Sequence, residues 1–162
     1  MISVAILTVS DRCARGERED RSGPAIEEML PRETFDVCEK AIAPDEPNEI
    51  VQSLIRFCDQ LCVDLVLTTG GTGLGLRDIT PEATTSVCER MVPGLAERMR
   101  TEGARKTPHA VLSRAVAGIR GRTLIVNLPG STRAVRESLE AILEVLPHGI
   151  AMLRGGGHED KG

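Results

Sequence analysis

The sequence predicts a three-layer α/β protein, with a mostly parallel central sheet covered by helices on both faces. Three observations carry this expectation. The short apolar runs Ile2–Val9, Leu65–Thr69 and Thr123–Leu128 have the composition of strands buried on both sides. Segments with helical periodicity separate the runs, and strands that alternate with helices pair in parallel. The second and third runs end in glycine-containing stretches that lead into helix starts. Open α/β sheets build ligand sites at their carboxyl edge in this way.

The bulk composition narrows the function. A chain of 162 residues suits one domain. It has no Trp or Tyr and only two Phe, Phe35 and Phe57, so its core is aliphatic. Aromatic platforms for single-stranded nucleic acid are therefore missing. A net charge of −4 also argues against a general nucleic-acid binder. The five cysteines, Cys13, Cys38, Cys58, Cys62 and Cys88, lack C-x-x-C spacing and read as buried free thiols in a reducing compartment. No long apolar stretch follows a basic N-terminus, and nothing approaches a membrane span. A soluble cytoplasmic protein is expected.

Ile2–Val9 is β-branched and apolar enough for a central strand. It runs into the polar segment Ser10-Asp11-Arg12, a loop that continues to about residue 21. There Arg12, Arg15, Arg18 and Arg21 interleave with Asp11, Glu17, Glu19 and Asp20, which reads as a solvated mixed-charge loop rather than a phosphate-binding lid. Ser22-Gly23-Pro24 starts a helix with Ile26, Met29 and Leu30 on one face. A second strand is expected over 34–42, with Phe35, Val37 and Ala41 inward. Pro47 begins the next helix, which buries Ile50, Val51, Leu54, Ile55, Cys58 and Leu61 at i, i+3, i+4 spacing. From local sequence alone Asp45 or Glu46 is the N-cap of that helix.

Further helices are expected over 81–90 and 95–106, separated by Pro93-Gly94. A short strand over 113–117 and a turn over 118–121 then precede Thr123–Leu128. Ser131 caps one long final helix with an apolar stripe of Val135, Leu139, Ile142, Leu143 and Leu146. The domain covers 1–154, and 155–162 reads as a disordered tail. His109, His148 and His158 have no neighbouring triad partner and receive no role.

The chain is organised around residues 65–82. Gly70, Gly71, Gly73 and Gly75 fall within six positions, followed by Arg77-Asp78 and Thr80-Pro81. A Walker loop would need Lys after its last glycine, where this chain has Leu76-Arg77, and the glycine spacing also misses the dinucleotide fingerprint. Backbone N–H groups of Gly71, Thr72 and Gly73 can still cradle a phosphate. The strand ends supply Ser10-Asp11-Arg12, Asp45, Gly70 to Asp78, and Pro129 to Thr132 to one edge. Asp45 and Asp78 can meet there as ligands for magnesium, a hard cation that takes a few carboxylates together with phosphate oxygens. No Cys, Ser-His or Lys nucleophile is evident, which suggests direct transfer between two bound substrates.

At these residues the chain resembles the molybdenum cofactor biosynthesis proteins. The likeness lies in Thr69-Gly70-Gly71-Thr72-Gly73 and in Arg77-Asp78-Ile79-Thr80-Pro81-Glu82-Ala83. It continues in Val9-Ser10-Asp11-Arg12, Asp20-Arg21-Ser22-Gly23-Pro24, Pro44-Asp45-Glu46, Leu112-Ser113-Arg114 and Asn127-Leu128-Pro129-Gly130, covering residues 2–154. Within that family the chain is most similar to the molybdopterin adenylyltransferases of the MogA type. The resemblance implies conversion of molybdopterin and Mg-ATP into adenylylated molybdopterin and pyrophosphate. Asp45 and Asp78 would be the catalytic, magnesium-binding pair. Gly70, Gly71, Thr72, Gly73 and Arg77 would hold phosphates, and Ser10, Asp11, Asp20 and Ser22 would line the nucleotide side. Gly130 and Ser131 would seat the pterin. A homotrimer, and a molybdenum-inserting enzyme as partner, are implied as well. The MoaB-type branch, with its non-catalytic molybdopterin-binding members, is the alternative.

Overall fold

In the computed structural model, which describes residues 1–156, the three apolar runs lie side by side at the centre of one sheet. They are β1 (Ile2–Val9), β3 (Leu65–Thr69) and β6 (Thr123–Leu128), each almost wholly buried. Adding β2 (Phe35–Ala43), β4 (Arg90–Met91) and β5 (Ala117–Arg120) gives the order β2-β1-β3-β6-β5-β4. The first four strands are parallel, whereas β5 runs antiparallel to both β6 and β4.

Alternation along each strand divides the apolar side chains between two layers. Val4, Ile6, Leu65, Leu67, Leu124 and Val126 face one layer, packed with Ile26 of α2 (Ser22–Met29), Met99 of α5 (Pro93–Lys106), Leu139 of α6 (Thr132–Ile142) and Ile150 of α7 (Leu146–Leu153). Ala5, Leu7, Val66 and Ile125 face the other. They meet Ile50 and Leu54 of α3 (Pro47–Ile55) and Ala83 and Val87 of α4 (Thr80–Val87). The three-layer expectation holds. Among the described residues no helix is long and apolar enough to cross a membrane.

Local differences have identifiable causes. The loop after β1 begins with one helical turn, α1 (Asp11–Ala14), because Ser10 Oγ accepts from Cys13 N and caps it. Past α3 the chain widens into a π-turn over Arg56–Gln60, in which Leu61 N donates to Arg56 O at 3.0 Å. The wider turn rotates the residues within and beyond it, so Leu61 is exposed, while the unexpected Phe57 is fully buried. The helix expected over 81–90 ends at Val87, and Arg90–Met91 forms the edge strand β4.

The strand expected over 113–117 starts only at Ala117, and 118–120 is strand rather than turn. Gly118 serves close packing there, since a Cβ would stand 2.6 Å from Cys88 Sγ. The turn itself is Gly121-Arg122, where Gly121 adopts φ +56. The single final helix is in fact two, because Pro147 cannot continue the hydrogen-bond ladder and Leu143–Val145 tightens to 3-10 geometry. Gly155 and Gly156 close α7 by donating to Met152 O and Ala151 O. The tail positions 157–162, with His158, lie outside the described residues.

Of the five free cysteines only Cys58 is buried, with Cys13 and Cys88 half-buried and Cys38 and Cys62 exposed. Burial pushes the Cys58 and Cys88 thiols up to about 11.

One buried polar network crosses the sheet. Asn127 Nδ2 donates to Thr68 Oγ1 at 3.0 Å and to Thr84 Oγ1 at 2.9 Å, and its Oδ1 accepts from Val116 N at 3.2 Å. Asn127→Leu keeps the volume but leaves the Val116 N–H and the two hydroxyls without this partner. We expect it to cost about 3 kcal/mol, lowering Tm by roughly 6–12 °C. Thermal unfolding followed by circular dichroism checks this, and a Tm equal to the parent's would mean that the network carries no stability.

Candidate active site

The carboxyl ends of β1, β3 and β6 meet at Gly70. Its N–H donates to Leu128 O at 3.2 Å, its φ is +95, and a Cβ there would stand 2.2 Å from Val9 O. Beside it Thr69 Oγ1 donates to Pro129 O at 2.7 Å. A Cβ on Gly130 would stand 3.3 Å from Gly70 Cα. Only bare backbone fits where these strand ends converge.

Beyond Gly70 the loop wraps a carboxylate. Gly75 N donates to Asp78 Oδ2 at 2.9 Å, and Asp78 N returns a bond to Gly75 O at 3.0 Å. A Cβ on Gly73 or on Gly75 would come within 2.8 Å of Asp78 Oδ2. The glycines therefore make room for Asp78.

Asp45 does not cap α3. Glu46 precedes that helix, and its side chain makes no capping bond. Asp45 is paired instead with Asp11: Asp11 N donates to Asp45 Oδ2 at 2.9 Å, and Asp45 N donates to Asp11 Oδ1 at 3.0 Å. This exchange between the ends of β1 and β2 joins residues 34 apart, which local sequence cannot show. Arg77 clamps the pair, donating to both oxygens of Asp11 at 2.7 and 3.1 Å and to Glu46 Oε1 at 2.9 Å.

The electrostatics separate the two aspartates. The Arg77 guanidinium, aided by the Asp45 N–H, holds the Asp11 carboxyl below its usual range. Burial pushes the Asp45 carboxyl up against the Asp11 N–H bond, and the negative charges of Asp11 and Asp78 push it further. Asp45 Oδ1, the oxygen that Asp11 leaves free, stands 3.4 Å from where a Gly71 Cβ would lie.

A cleft of about 320 Å³ opens above these groups. Its walls include Ser10, Asp20, Ser22, Asp45, Gly70, Gly71, Asp78, Gly130 and Ser131 from the expected set. Asp11, Thr72, Gly73 and Arg77 are not among its wall residues: Thr72 is buried, Asp11 bonds Asp45, and Arg77 holds Asp11. Several wall residues also build the scaffold. Asp20 accepts from Thr8 Oγ1 at 2.8 Å and Gly23 N at 3.0 Å, fixing the start of α2. Ser131 Oγ caps α6 through Ala134 N at 3.2 Å. The mixed-charge loop is solvated as expected, yet Arg18 and Arg21 reach the cleft wall.

Sequence reasoning assigns no role to Arg114. Its Nε donates to Gly73 O at 2.8 Å, its Nη2 donates to Asp78 O, and it pairs with Glu82. Its own N–H donates to Thr72 O at 2.9 Å. Together these bonds pin the glycine loop from an irregular segment where neither helical nor strand periodicity could flag the residue. Thr80 is a second omission. It is fully buried and its Oγ1 has no hydrogen-bond partner among the described residues, a state that costs about 1–3 kcal/mol.

Residues 5–148 match the family model described as a probable molybdopterin binding domain. The chain belongs to this family of molybdenum cofactor biosynthesis proteins. It is 46% identical over 156 residues to the molybdopterin adenylyltransferase of Helicobacter pylori strain J99, spanning 95% of this chain and 89% of that protein. Among solved structures, the molybdopterin biosynthesis enzyme MoaB of Thermus thermophilus superimposes with a TM-score of 0.91 at 55% identity, covering 96% of this chain and 98% of that one. The molybdopterin biosynthesis Mog protein of Mycobacterium ulcerans gives 0.87 at 39% identity, covering 94% and 99%.

The raised Asp45 carboxyl has a signed consequence for stability. A folded-state pKa above the ordinary 3.8 means that this carboxyl's favourable contribution is fully present below 3.8 and is lost as pH rises through the folded value. Asp45→Asn removes the charge while keeping an acceptor for Asp11 N. Without ligands, the variant should melt above the parent at pH 7, and the gain should vanish as pH falls below about 3.8. Melting curves over a range from acid to neutral pH test this, and a variant less stable at pH 7 would contradict it.

Proposed function

We propose that this protein is a molybdopterin adenylyltransferase that joins the terminal phosphate of molybdopterin to the α-phosphorus of ATP and releases pyrophosphate. The observation that carries the reading is that Asp45 and Asp78 line one cleft at the carboxyl edge of the sheet, where the charge of Asp78 is felt by Asp45. The 46% identity to an enzyme of that name supports it. The attacking phosphate forms one P–O bond as the bond from the α-phosphorus to pyrophosphate breaks, so the chain has only to position and neutralise two anions.

The donor set fits a magnesium ion. Asp45 is a half-buried carboxylate whose raised pKa marks an unmet need for positive charge, and its Oδ1 has no hydrogen-bond partner among the described residues. Among the described residues no three His, Cys, Asp or Glu side chains converge. Two carboxylates completed by phosphate oxygens and water are the set this cation favours. When bound, magnesium would neutralise charge on the phosphates in transfer. Asp45 and Asp78 would hold it, with Asp45 oriented by Asp11 and Arg77. Gly71, having no side chain, lets a phosphate approach the main chain, and Arg18 and Arg21 supply positive charge at the cleft wall. Gly130 and Ser131 also line the cleft, and there we place the pterin.

We further infer a cytoplasmic homotrimer that hands its product to a molybdenum-inserting enzyme. Leu74, Leu76, Val111 and Leu112 support the assembly, because apolar side chains so exposed beside the glycine loop suit burial against a second copy. A molybdopterin-binding protein without transferase activity is the second reading, to which the 55% identity to the biosynthesis enzyme MoaB lends only weak support.

Purified protein given molybdopterin and Mg-ATP should release pyrophosphate, and Asp78→Asn should lower that rate at least about 100-fold while molybdopterin still binds. Full turnover by the variant would remove Asp78 from the chemistry. Molybdopterin binding by the parent without pyrophosphate would favour the second reading.

A further inference from the structure

Two unbonded oxygens face one spot beside Gly71. A Cβ on that residue would stand 2.3 Å from Thr80 Oγ1 and 3.4 Å from Asp45 Oδ1. Thr80 Oγ1 is fully buried and has no hydrogen-bond partner among the described residues, and Asp45 bonds Asp11 N only through Oδ2. One is a hydroxyl with a proton to donate, and the other is a carboxylate oxygen with room to accept it.

The ordinary structural uses of a threonine at this place are unfilled. Thr80 opens α4, yet its side chain caps no helix N–H, and Ile79 is the cap residue without a capping bond. Its N–H is already satisfied by Gly71 O at 3.1 Å. Its neighbour Thr84 shows what a structural threonine looks like here, since that hydroxyl accepts from Asn127 Nδ2. A buried hydroxyl without a partner lowers the stability of the unliganded chain, so its presence points to a liganded state in which it is used.

We propose that Thr80 is a further positioning residue of this site: its hydroxyl donates, directly or through one bound water, to Asp45 Oδ1 and orients that carboxylate toward the magnesium–phosphate group. The inference rests on the adenylyltransferase reading for the identity of that group. Gly71 completes the arrangement, since any side chain there would occupy the space between the two oxygens. Thr80 acts through Asp45 and touches no reacting atom.

The test uses Thr80→Val, which keeps the shape without the hydroxyl, and Thr80→Ser, which keeps the hydroxyl. Melting of the unliganded proteins and calorimetric binding of Mg-ATP are measured for the full-length chain. Thr80→Val should melt at or above the parent temperature yet bind Mg-ATP about tenfold more weakly, with a matching loss in pyrophosphate release. Thr80→Ser should bind within about twofold of the parent. The proposal is overturned if Thr80→Val binds Mg-ATP as the parent does, or if it melts well below the parent. It is equally overturned if Thr80→Ser binds as poorly as Thr80→Val. A parent chain that binds Mg-ATP but releases no pyrophosphate counts against the transferase reading alone and leaves this comparison decisive, whereas a parent that binds no Mg-ATP sinks both.

Discussion

The site depends on the reciprocal bonds between Asp11 and Asp45, clamped by Arg77. Each aspartate gives its backbone N–H to the other's carboxylate, so two acidic side chains at adjacent strand ends are held close without direct contact between their charges. Arg77 settles the balance. It neutralises Asp11, the partner in contact with it, and leaves Asp45 partly desolvated, with its carboxyl raised above the usual range. A single cation serving one of two neighbouring carboxylates keeps the other in need of positive charge, and the cleft is where that charge would come from.

The parallel register makes this possible. Val9 pairs with Ala43, and Thr8 with Thr69, so β1, β2 and β3 stop at nearly the same level. Residues immediately beyond those ends fall within hydrogen-bond reach although they are remote in the chain. The same edge concentrates unfavourable features: positive-φ glycines at 70 and 71, an orphan hydroxyl at Thr80 and a desolvated carboxylate at Asp45. The opposite burden is carried by an aliphatic interior with few polar atoms apart from the Asn127 network. Strain at a site and quiet packing elsewhere are the expected division in a protein that binds charged ligands.

Much of this is legible in the chain itself, for reasons that differ by element. The central strands β1, β3 and β6 begin and end where their apolar runs do, because burial on both faces favours apolar side chains and admits polar ones such as Thr68 and Asn127 only where they are bonded. The glycine loop and Asp78 are legible because a cluster of glycines has few other uses. Segments decided by contacts across the fold are not. Gly118 has the local look of a turn yet yields space to Cys88, and Asp45 has the local look of a cap yet reaches Asp11. Phe57 and Leu61 exchange places through a π-turn that no local pattern announces. Arg114 stands in a segment that carries the family likeness, yet no local pattern gives it a role, since its value lies in carbonyls that the tertiary fold carries to it.

The convergence of three strand ends on Gly70 has a consequence for how such a protein can diversify. Where β1, β3 and β6 meet, the base of the cleft is main chain, and an added methyl there would collide with Val9 O. Its outline is therefore set by peptide geometry and is nearly immune to drift in side chains. Any selectivity for a ligand of this cleft must be written elsewhere, and the solvated segment carrying Arg18, Glu19 and Arg21 is the part of the wall free to change. The fold thus keeps the base of the cleft constant and leaves the loop on its wall open to revision.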